Sequence, residues 1–275
     1  MARVYLEVYG CSANLAEFEI AYGLLKENGF EIVEKSRESE VNVIFTCVVK
    51  QQTFNRMIHK IKELTRLKKP LIVAGCMAKT DFKLIEKINP KASILSPDNT
   101  SKIVEVVNSA LEGKKLVFVE DSKLVKLNLP RCRKNPLIGI IQIARGCVSN
   151  CSYCYEPYRG KLFSYPIEEI VKEVKKAVSE GCKEIWLTSL DNGCYGFDFG
   201  SNLAKLLEEV CKVEGKFLVR VGMMNPLHAK KFLDELIKVY ENEKIFKFLH
   251  LPLQSGSDRI LELMKRGYTS QDFLE

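Results

Sequence analysis

Apolar and polar positions along the first hundred residues follow a regular alternation of short apolar runs and amphipathic stretches. The apolar runs predict β-strands, which are expected at 4–10, 41–46, 71–75 and 92–96. Each run is followed by a stretch with helical periodicity. Strands that alternate with helices pair in parallel, and strands without a polar face are buried on both sides. The pattern therefore predicts an α/β domain with a parallel sheet covered by helices.

The alternation is interrupted at 121–137, a stretch with two prolines and five Lys/Arg residues that is typical of a linker. A second β/α series then follows, with strands expected at 138–144, 184–189, 217–223 and 246–253. The predicted organisation is an N-terminal α/β domain over 1–120, a linker over 121–137 and a partial β/α barrel over 138–275. Four such units would leave the last strand as an open apolar edge, which we expect a partner or a continuation of the chain to cover.

Composition narrows the class of protein. The 275 residues are 46% hydrophobic and 28% charged, which is typical of a globular chain. No apolar run approaches the ~20 residues of a membrane span, and the first residues lack the apolar core of a signal peptide. We therefore expect a cytoplasmic protein without a membrane association. The net charge of +7 favours a polyanionic partner without requiring one.

Ten cysteines in a chain without an export signal favour metal binding or catalysis over disulfides. Cys147, Cys151 and Cys154 lie in one loop directly after a predicted strand, where β/α folds place active sites. A structural zinc site would need a fourth ligand, and the next cysteine is Cys182. Three thiolates on a four-iron cluster would leave one iron open to a reacting ligand. A zinc knuckle or unrelated thiols remain the alternative.

Three further cysteines, Cys11, Cys47 and Cys76, each follow a predicted strand of the first domain. Parallel strands bring their carboxyl ends to one edge of a sheet, so these side chains are expected to converge. The spacing predicts a second site with three thiolate ligands. Three independent buried cysteines are the alternative.

The C-x₃-C-x₂-C loop, with an aromatic residue at Tyr153, resembles the radical S-adenosylmethionine (SAM) superfamily. Together with YGCSAN (9–14), TCVV (46–49) and AGCMA (74–78), it makes the whole chain similar to the methylthiotransferases of that superfamily. The resemblance implies SAM and two [4Fe-4S] clusters as cofactors. One cluster would bind and cleave SAM at Cys147, Cys151 and Cys154, and the other would carry the inserted sulfur at Cys11, Cys47 and Cys76.

The resemblance also implies contacts to SAM and substrate at the ends of the later strands. The expected SAM contacts are Asp191, Asn192, Arg220, Asn225, Gln254 and Ser255, and Arg159 is expected to meet a phosphate or the substrate. An Asp-Asn-Gly turn and an ordinary strand-end arginine are the alternatives for Asp191 and Arg220. Catalytic residues beyond the cluster ligands are unknown from the sequence. Four cysteines fit neither motif: Cys132, Cys182, Cys194 and Cys211.

Within the family, the motif wording is most similar to the threonylcarbamoyladenosine branch. It implies addition of a methylthio group to C2 of N6-threonylcarbamoyladenosine at position 37 of tRNA, with tRNA, an electron donor and a sulfur donor as partners. The alternatives are methylthiotransferases for isopentenyladenosine tRNA or a ribosomal-protein aspartate, a non-catalytic iron–sulfur electron carrier or sensor, and a zinc-stabilised RNA-binding module. The family's small RNA-binding β-barrel is not found in this sequence. RNA affinity is therefore expected to be weak, salt-sensitive and dependent on Arg131, Arg133 and Lys134.

Overall fold

The first unit, Met1–Lys134, is built on a six-stranded parallel sheet with the strand order β2-β1-β3-β4-β5-β6. The computed structural model describes residues 1–49, 51–122, 124–154 and 160–275. The strands are β1 (Arg3–Val8), β2 (Glu31–Val33), β3 (Val41–Thr46), β4 (Leu71–Gly75), β5 (Ser93–Leu95) and β6 (Val117–Phe118). The helices are α1 (Ser12–Glu27), α2 (Gln51–Arg66), α3 (Cys76–Thr80), α4 (Phe82–Ile88) and α5 (Ile103–Leu111), and a 3₁₀ turn spans Pro97–Lys102.

The central strands β3 and β4 are buried along their whole length. Alternate residues point to opposite faces of a strand. Val43 and Phe45 accordingly pack in the core with α1 and α5, whereas Ile44 packs with α2 and α4 on the other face. Two apolar layers therefore enclose the sheet, and the predicted parallel α/β domain is confirmed.

The stretch predicted as a linker packs on α1 as far as Lys134. The Lys126 ammonium pairs with the Glu17 carboxylate, and both side chains are almost fully buried. The same ammonium donates to the Pro97 carbonyl oxygen at 2.8 Å. The backbone N–H of Lys134 donates to Glu19 Oε1 at 3.1 Å. The division between the two units therefore falls at Lys134/Asn135, inside the predicted linker.

The second unit, Asn135–Glu275, contains a three-stranded parallel sheet with the order β11-β10-β7 and a short antiparallel pair, β8 with β9. The strands are β7 (Ile138–Gln142), β8 (Ala144–Arg145), β9 (Phe163–Ser164), β10 (Glu184–Thr188) and β11 (Leu218–Val221). The helices are α6 (Ile167–Ser179), α7 (Leu203–Cys211), α8 (Pro226–Ala229), α9 (Leu233–Tyr240), α10 (Asp258–Leu263) and α11 (Ser270–Leu274), with 3₁₀ turns at Asn192–Cys194 and Lys230–Phe232. Every helix in the described part of the chain is too short or too polar to span a bilayer.

The fourth strand expected at 246–253 does not form in the structure, so this prediction was wrong. The segment approaches β11 through one parallel bridge, between Val219 and Ile245. One later bond, from the Met224 N–H to the His250 carbonyl oxygen at 3.0 Å, holds it further along. Pro252 has no N–H to donate to a sheet, and Gln254 has a left-handed φ of 74° that ends the extended conformation.

Candidate metal centres

The three cysteines of the first unit lie at one edge of its sheet, as expected from the topology. β1, β3 and β4 are neighbours, and Thr46 is in register with Gly75. Cys47 and Cys76 directly follow this pair and are buried, while the exposed Cys11 stands immediately before α1. The strand order therefore places three thiols from three separate stretches at the same end of the sheet.

Two glycines and one asparagine allow these strand ends to lie close together. Gly10 and Gly75 have φ angles of 113° and 85°, which residues with a side chain rarely adopt. A Cβ at Gly10 would lie 2.7 Å from Cys47 Cβ, and one at Gly75 would lie 2.6 Å from the Thr46 carbonyl oxygen. Asn14 Nδ2 donates to that carbonyl oxygen at 3.2 Å. The edge is therefore fixed by close backbone packing, with the cysteine side chains attached to it.

The environment of these thiols fits a metal centre with soft ligands. Burial is the largest influence on Cys47 and raises the pKa of its thiol, while the backbone N–H groups of Val48 and Val49 oppose this effect. Burial disfavours the negatively charged thiolate, and the positive charge of a bound metal would stabilise it. Asn14 Oδ1 is buried and has no hydrogen-bond partner among the described residues. A three-thiolate iron–sulfur cluster is compatible with this donor set and with the unsatisfied amide oxygen beside it.

In the second unit, Cys147 has polar neighbours both from its own loop and from a distant part of the chain. Among the described residues, Cys147 Sγ, a carboxylate oxygen of Asp191 and Cys194 Sγ lie within 4.8 Å of one another. The neighbouring Cys194 thiol is the main cause that lowers the pKa of Cys147, to about 6. The pKa of Cys194 is raised in turn. The Ser149 N–H also donates to Cys147 Sγ, at 3.3 Å. The sequence left Cys194 unassigned, and the structure places it beside a predicted cluster ligand.

The expected SAM contacts Asp191, Asn192 and Asn225 lie together and are almost fully buried. Asp191 Oδ2 lies 2.7 Å from His228 Nδ1, and Asp191 Oδ1 accepts from the Asn225 N–H at 3.0 Å. The Asn225 side chain donates to Ser149 Oγ at 3.0 Å. These groups connect the end of β10 and the start of α8 to the cysteine loop. Because their polar atoms bind one another, the structure gives them a direct role in holding that loop.

His228 was missed in the sequence because nothing near it in the chain marks it as a site residue. It lies 37 positions from Asp191 and reaches it only through the fold. Asn192 is fully buried, and its side chain donates to the Met223 carbonyl oxygen at 3.1 Å. Its Oδ1 has no partner among the described residues, so one polar atom of this group remains available to a ligand.

The other two cysteines of the loop have different environments. Cys151 Sγ accepts a hydrogen bond from Arg266 Nη1 at 3.0 Å, and Cys154 is exposed. The Cys154 N–H donates to the Cys151 carbonyl oxygen at 3.2 Å, which closes a tight turn between them. Two of the three sulfurs therefore already receive N–H donors, as sulfurs that ligate iron–sulfur clusters commonly do. The three residues fit a cluster with an open iron.

Arg220, Gln254 and Ser255 have other surroundings in the structure. The Arg220 guanidinium lies over the Trp186 ring, 4.9 Å from its centroid, and 5.6 Å from the Phe248 centroid. Gln254 is exposed, and Ser255 Oγ accepts from the Ser257 N–H at 3.1 Å. The described hydrogen bonds do not join these residues to Asp191. Arg159 lies outside the described residues.

Two family models match successive parts of the chain. Residues 3–96 match the model described as "Uncharacterized protein family UPF0004", and residues 141–275 match that of the radical SAM superfamily. The second unit is thus a radical SAM domain, and it contains the three-cysteine loop. The resemblance seen in the sequence is confirmed at this level.

The curated relatives specify the family further. The chain is 46% identical over 279 residues to a "Probable threonylcarbamoyladenosine tRNA methylthiotransferase" of Pyrococcus horikoshii, and the match covers 100% of this chain and 65% of that protein. A relative with the same name in Methanocaldococcus jannaschii is 44% identical, covering 98% of this chain and 63% of its own length. The human threonylcarbamoyladenosine tRNA methylthiotransferase is 35% identical, and the match covers 98% of this chain and 48% of the human protein. Over nearly its whole length, the chain is thus similar to threonylcarbamoyladenosine tRNA methylthiotransferases.

A solved structure agrees with this fold. The radical SAM methyltransferase TsrM from Kitasatospora setae, with tryptophan and a SAM analogue bound, superposes with a TM-score of 0.67 at 14% identity. The match covers 99% of this chain and 64% of that chain. At this identity the likeness establishes the fold alone. The chain therefore spans at most about two thirds of the proteins to which it is compared.

Proposed function

We propose that this chain carries the catalytic part of a methylthiotransferase that modifies C2 of N6-threonylcarbamoyladenosine at position 37 of tRNA. The observation that carries the proposal is the presence of two thiol triplets, one in each unit. Cys11, Cys47 and Cys76 share one sheet edge, and Cys147, Cys151 and Cys154 share one loop. Relatives that match nearly the whole chain bear the name of this activity.

The two triplets have distinct tasks in this proposal. When bound, the two [4Fe-4S] clusters supply the electron that cleaves SAM and the sulfur that is inserted. The protein's residues hold these groups and SAM in fixed positions and keep water from the reacting carbon. Cys147, Cys151 and Cys154 are the proposed ligands at the SAM site, and Cys11, Cys47 and Cys76 are the proposed ligands at the sulfur site.

The SAM site is proposed to include residues at the carboxyl ends of β10 and β11. Asn192 would use its unsatisfied Oδ1, whereas Asp191 and Asn225 would act mainly by holding the cysteine loop. Arg220, Gln254 and Ser255 are further proposed contacts to SAM, and Arg159 to the substrate. An electron donor and a sulfur donor complete the reaction, and a cytoplasmic location follows from a tRNA substrate.

The test is metal analysis of the anaerobically purified chain, followed by an assay for SAM cleavage. We expect about eight iron atoms per chain, because two four-iron clusters are bound. Replacing Cys11, Cys47 and Cys76 together by serine should halve the iron and leave cleavage of SAM to 5′-deoxyadenosine. Cys151→Ser should abolish that cleavage, and Cys211→Ser should change neither measurement.

The outcomes separate the alternatives. Two clusters without any 5′-deoxyadenosine after reduction would favour the non-catalytic iron–sulfur protein. About one zinc and no iron would favour the zinc-stabilised module. Transfer of the methylthio group to isopentenyladenosine tRNA, but not to threonylcarbamoyladenosine tRNA, would place the chain in the other branch.

A further inference from the structure

The turn that follows α10 is attached to the cysteine loop by several hydrogen bonds. The Ser152 N–H donates to the Met264 carbonyl oxygen at 3.1 Å, and Ser152 Oγ donates to the Leu263 carbonyl oxygen at 2.8 Å. These residues are more than one hundred positions apart in the chain. The turn is therefore a structural support of the loop that carries Cys151.

Arg266 lies at the centre of this contact and is only 5% exposed. Its Nη1 donates to Cys151 Sγ and to the Tyr153 hydroxyl oxygen, each at 3.0 Å. Its Nε donates to the Tyr268 hydroxyl oxygen at 3.1 Å, and that hydroxyl donates to the Leu253 carbonyl oxygen at 2.8 Å. The guanidinium is thus held in one orientation from two sides.

Among the described residues, no carboxylate is hydrogen-bonded to Arg266 to balance its charge. A buried cation is costly unless an anion pairs with it. The described hydrogen-bond partners of Arg266 are a thiol and two phenols, and none is a carboxylate. Its Nη2 is buried and has no hydrogen-bond partner among the described residues. The site therefore has one positive charge and one free donor beside Cys151 Sγ.

We propose that Arg266 is a positioning residue for the iron–sulfur cluster at Cys147, Cys151 and Cys154, balancing its negative charge and raising its reduction potential through the N–H···S bond to Cys151. This inference rests on the proposed function, because it requires a cluster at that loop. Thiolates and sulfides supply the anion that the guanidinium lacks, and a cluster sulfide is a suitable acceptor for Nη2. Hydrogen bonds to the sulfurs stabilise the reduced, more negative state of such a cluster, so they raise its potential.

The test isolates this cluster in a parent protein whose Cys11, Cys47 and Cys76 are replaced by serine. Arg266→Gln and Arg266→Lys are compared with Arg259→Gln, an exposed arginine in the same helix region. The measurements are iron content and the midpoint potential from an EPR-monitored reductive titration. We expect a more negative potential and less retained iron for Arg266→Gln. Arg266→Lys, which keeps the charge but not the planar fork, should lie between that variant and the parent.

The outcomes distinguish an effect of Arg266 on the cluster from a purely structural role in the loop. A full cluster with the parent's potential in Arg266→Gln would overturn the inference. If Arg266→Gln retains no iron, restoration of iron by Arg266→Lys supports it, and failure of the lysine to restore iron overturns it. Arg259→Gln should match the parent in both measurements. A parent that binds no four-iron cluster would instead refute the proposed function, which is a distinguishable result.

Discussion

At the scale of single residues, the surroundings of the second cysteine loop are set by distant parts of the chain. The spacing of Cys147, Cys151 and Cys154 was sufficient to predict a metal site. The groups that contact their sulfurs were not predictable, because Arg266 lies 115 positions from Cys151. Cys194 and His228 likewise reach the loop only through the fold. Local sequence therefore indicated the proposed ligands, while tertiary packing determines the charges and donors around them.

The thiol of Cys194 lies beside that of Cys147 in the structure. Its hydrogen bond lowers the pKa of Cys147 from 9.0 to about 6, so the thiolate predominates at pH 7. In Cys194→Ala this donor is lost, and the pKa should rise toward its ordinary value. We expect alkylation of Cys147 by iodoacetamide at pH 7 to slow by at least ~10-fold, because the thiolate is the nucleophile. The rate is measured by mass spectrometry of the Cys147 peptide.

The matched control is Cys211→Ala, a thiol on α7 whose removal should leave the alkylation rate of Cys147 unchanged. The pH profile gives a second check. In the unaltered chain the rate should fall as the pH drops through about 6, and in Cys194→Ala it should fall at a higher pH. Identical profiles would rule out this role for Cys194.

The buried ion pair between Lys126 and Glu17 makes a second residue-scale prediction. Lys126→Met removes a buried cation that pairs with the Glu17 carboxylate, which costs about 3–5 kcal/mol. We expect hydrogen exchange in peptides of α1 to become at least roughly 100-fold faster, because exchange from protected amides follows local stability.

Two comparison variants make that result specific. Lys114→Met removes an exposed partner of Glu112 and should leave exchange in α1 unchanged. Adding Glu17→Gln to Lys126→Met removes both charges and should restore most of the protection. Unchanged exchange in Lys126→Met alone would show that the pair does not stabilise α1.

At the scale of elements, the predictions succeeded where apolar runs were long and failed where a single residue decided the outcome. The buried strands β3 and β4 were identified because their runs are apolar on both faces. The predicted strand at 246–253 has a similar apolar content but includes Pro252 and ends at Gln254 with a positive φ. The two-residue strands β8 and β9 carry no periodic signal and were missed. Apolar runs therefore predicted the buried strands, whereas residues with special backbone conformations determined where a predicted strand does not form.

The junction between β4 and α3 should be sensitive to the smallest added side chain. In Gly75→Ala the new Cβ would lie 2.6 Å from the Thr46 carbonyl oxygen, so the strand ends must separate. We expect the iron content to fall from about eight to about four atoms per chain, because only the site at Cys11, Cys47 and Cys76 is disturbed. Iron and sulfide analysis after anaerobic reconstitution measures this change.

Gly113→Ala provides the control for backbone strain. Gly113 also has a positive φ, 75°, but an added Cβ there would meet nothing within 4 Å. Both variants place alanine at a positive φ, which residues with a side chain rarely adopt. Only Gly75→Ala also crowds the backbone of Thr46, the residue that precedes Cys47. Equal iron contents in the two variants would therefore contradict the proposed sensitivity of the sheet edge.

At the scale of the whole molecule, the excess positive charge bears on the proposed tRNA substrate. The net charge is +7, but the basic residues at 131–134 are not equally available. Burial raises the pKa of the Glu19 carboxyl, and the positive charges of Arg131 and Arg133 oppose this effect. Both arginines therefore interact electrostatically with Glu19 of the first unit. The Lys134 side chain is exposed. The contribution of this stretch to RNA binding is therefore expected to depend more on Lys134 than on the two arginines.

Binding of tRNA by this chain should be weak and should decrease as the salt concentration rises. Each phosphate contact releases counterions, so the logarithm of the affinity falls linearly with the logarithm of the salt concentration. We expect Lys134→Gln to reduce this slope by about one. Filter binding over a range of salt concentrations measures the slope. Lys212→Gln, directly after α7, is the charge-matched control. Affinity that is independent of salt would contradict the prediction.

The attachment of residues 126–134 to α1 also determines where the chain can be divided for separate expression. A fragment that stops at residue 120 would lack the Lys126 ammonium group that pairs with the buried Glu17 carboxylate. Such a fragment should misfold or aggregate. A fragment that ends at Lys134 would retain its own counterion, so it is the shortest piece from this end that we would expect to yield a well-folded protein.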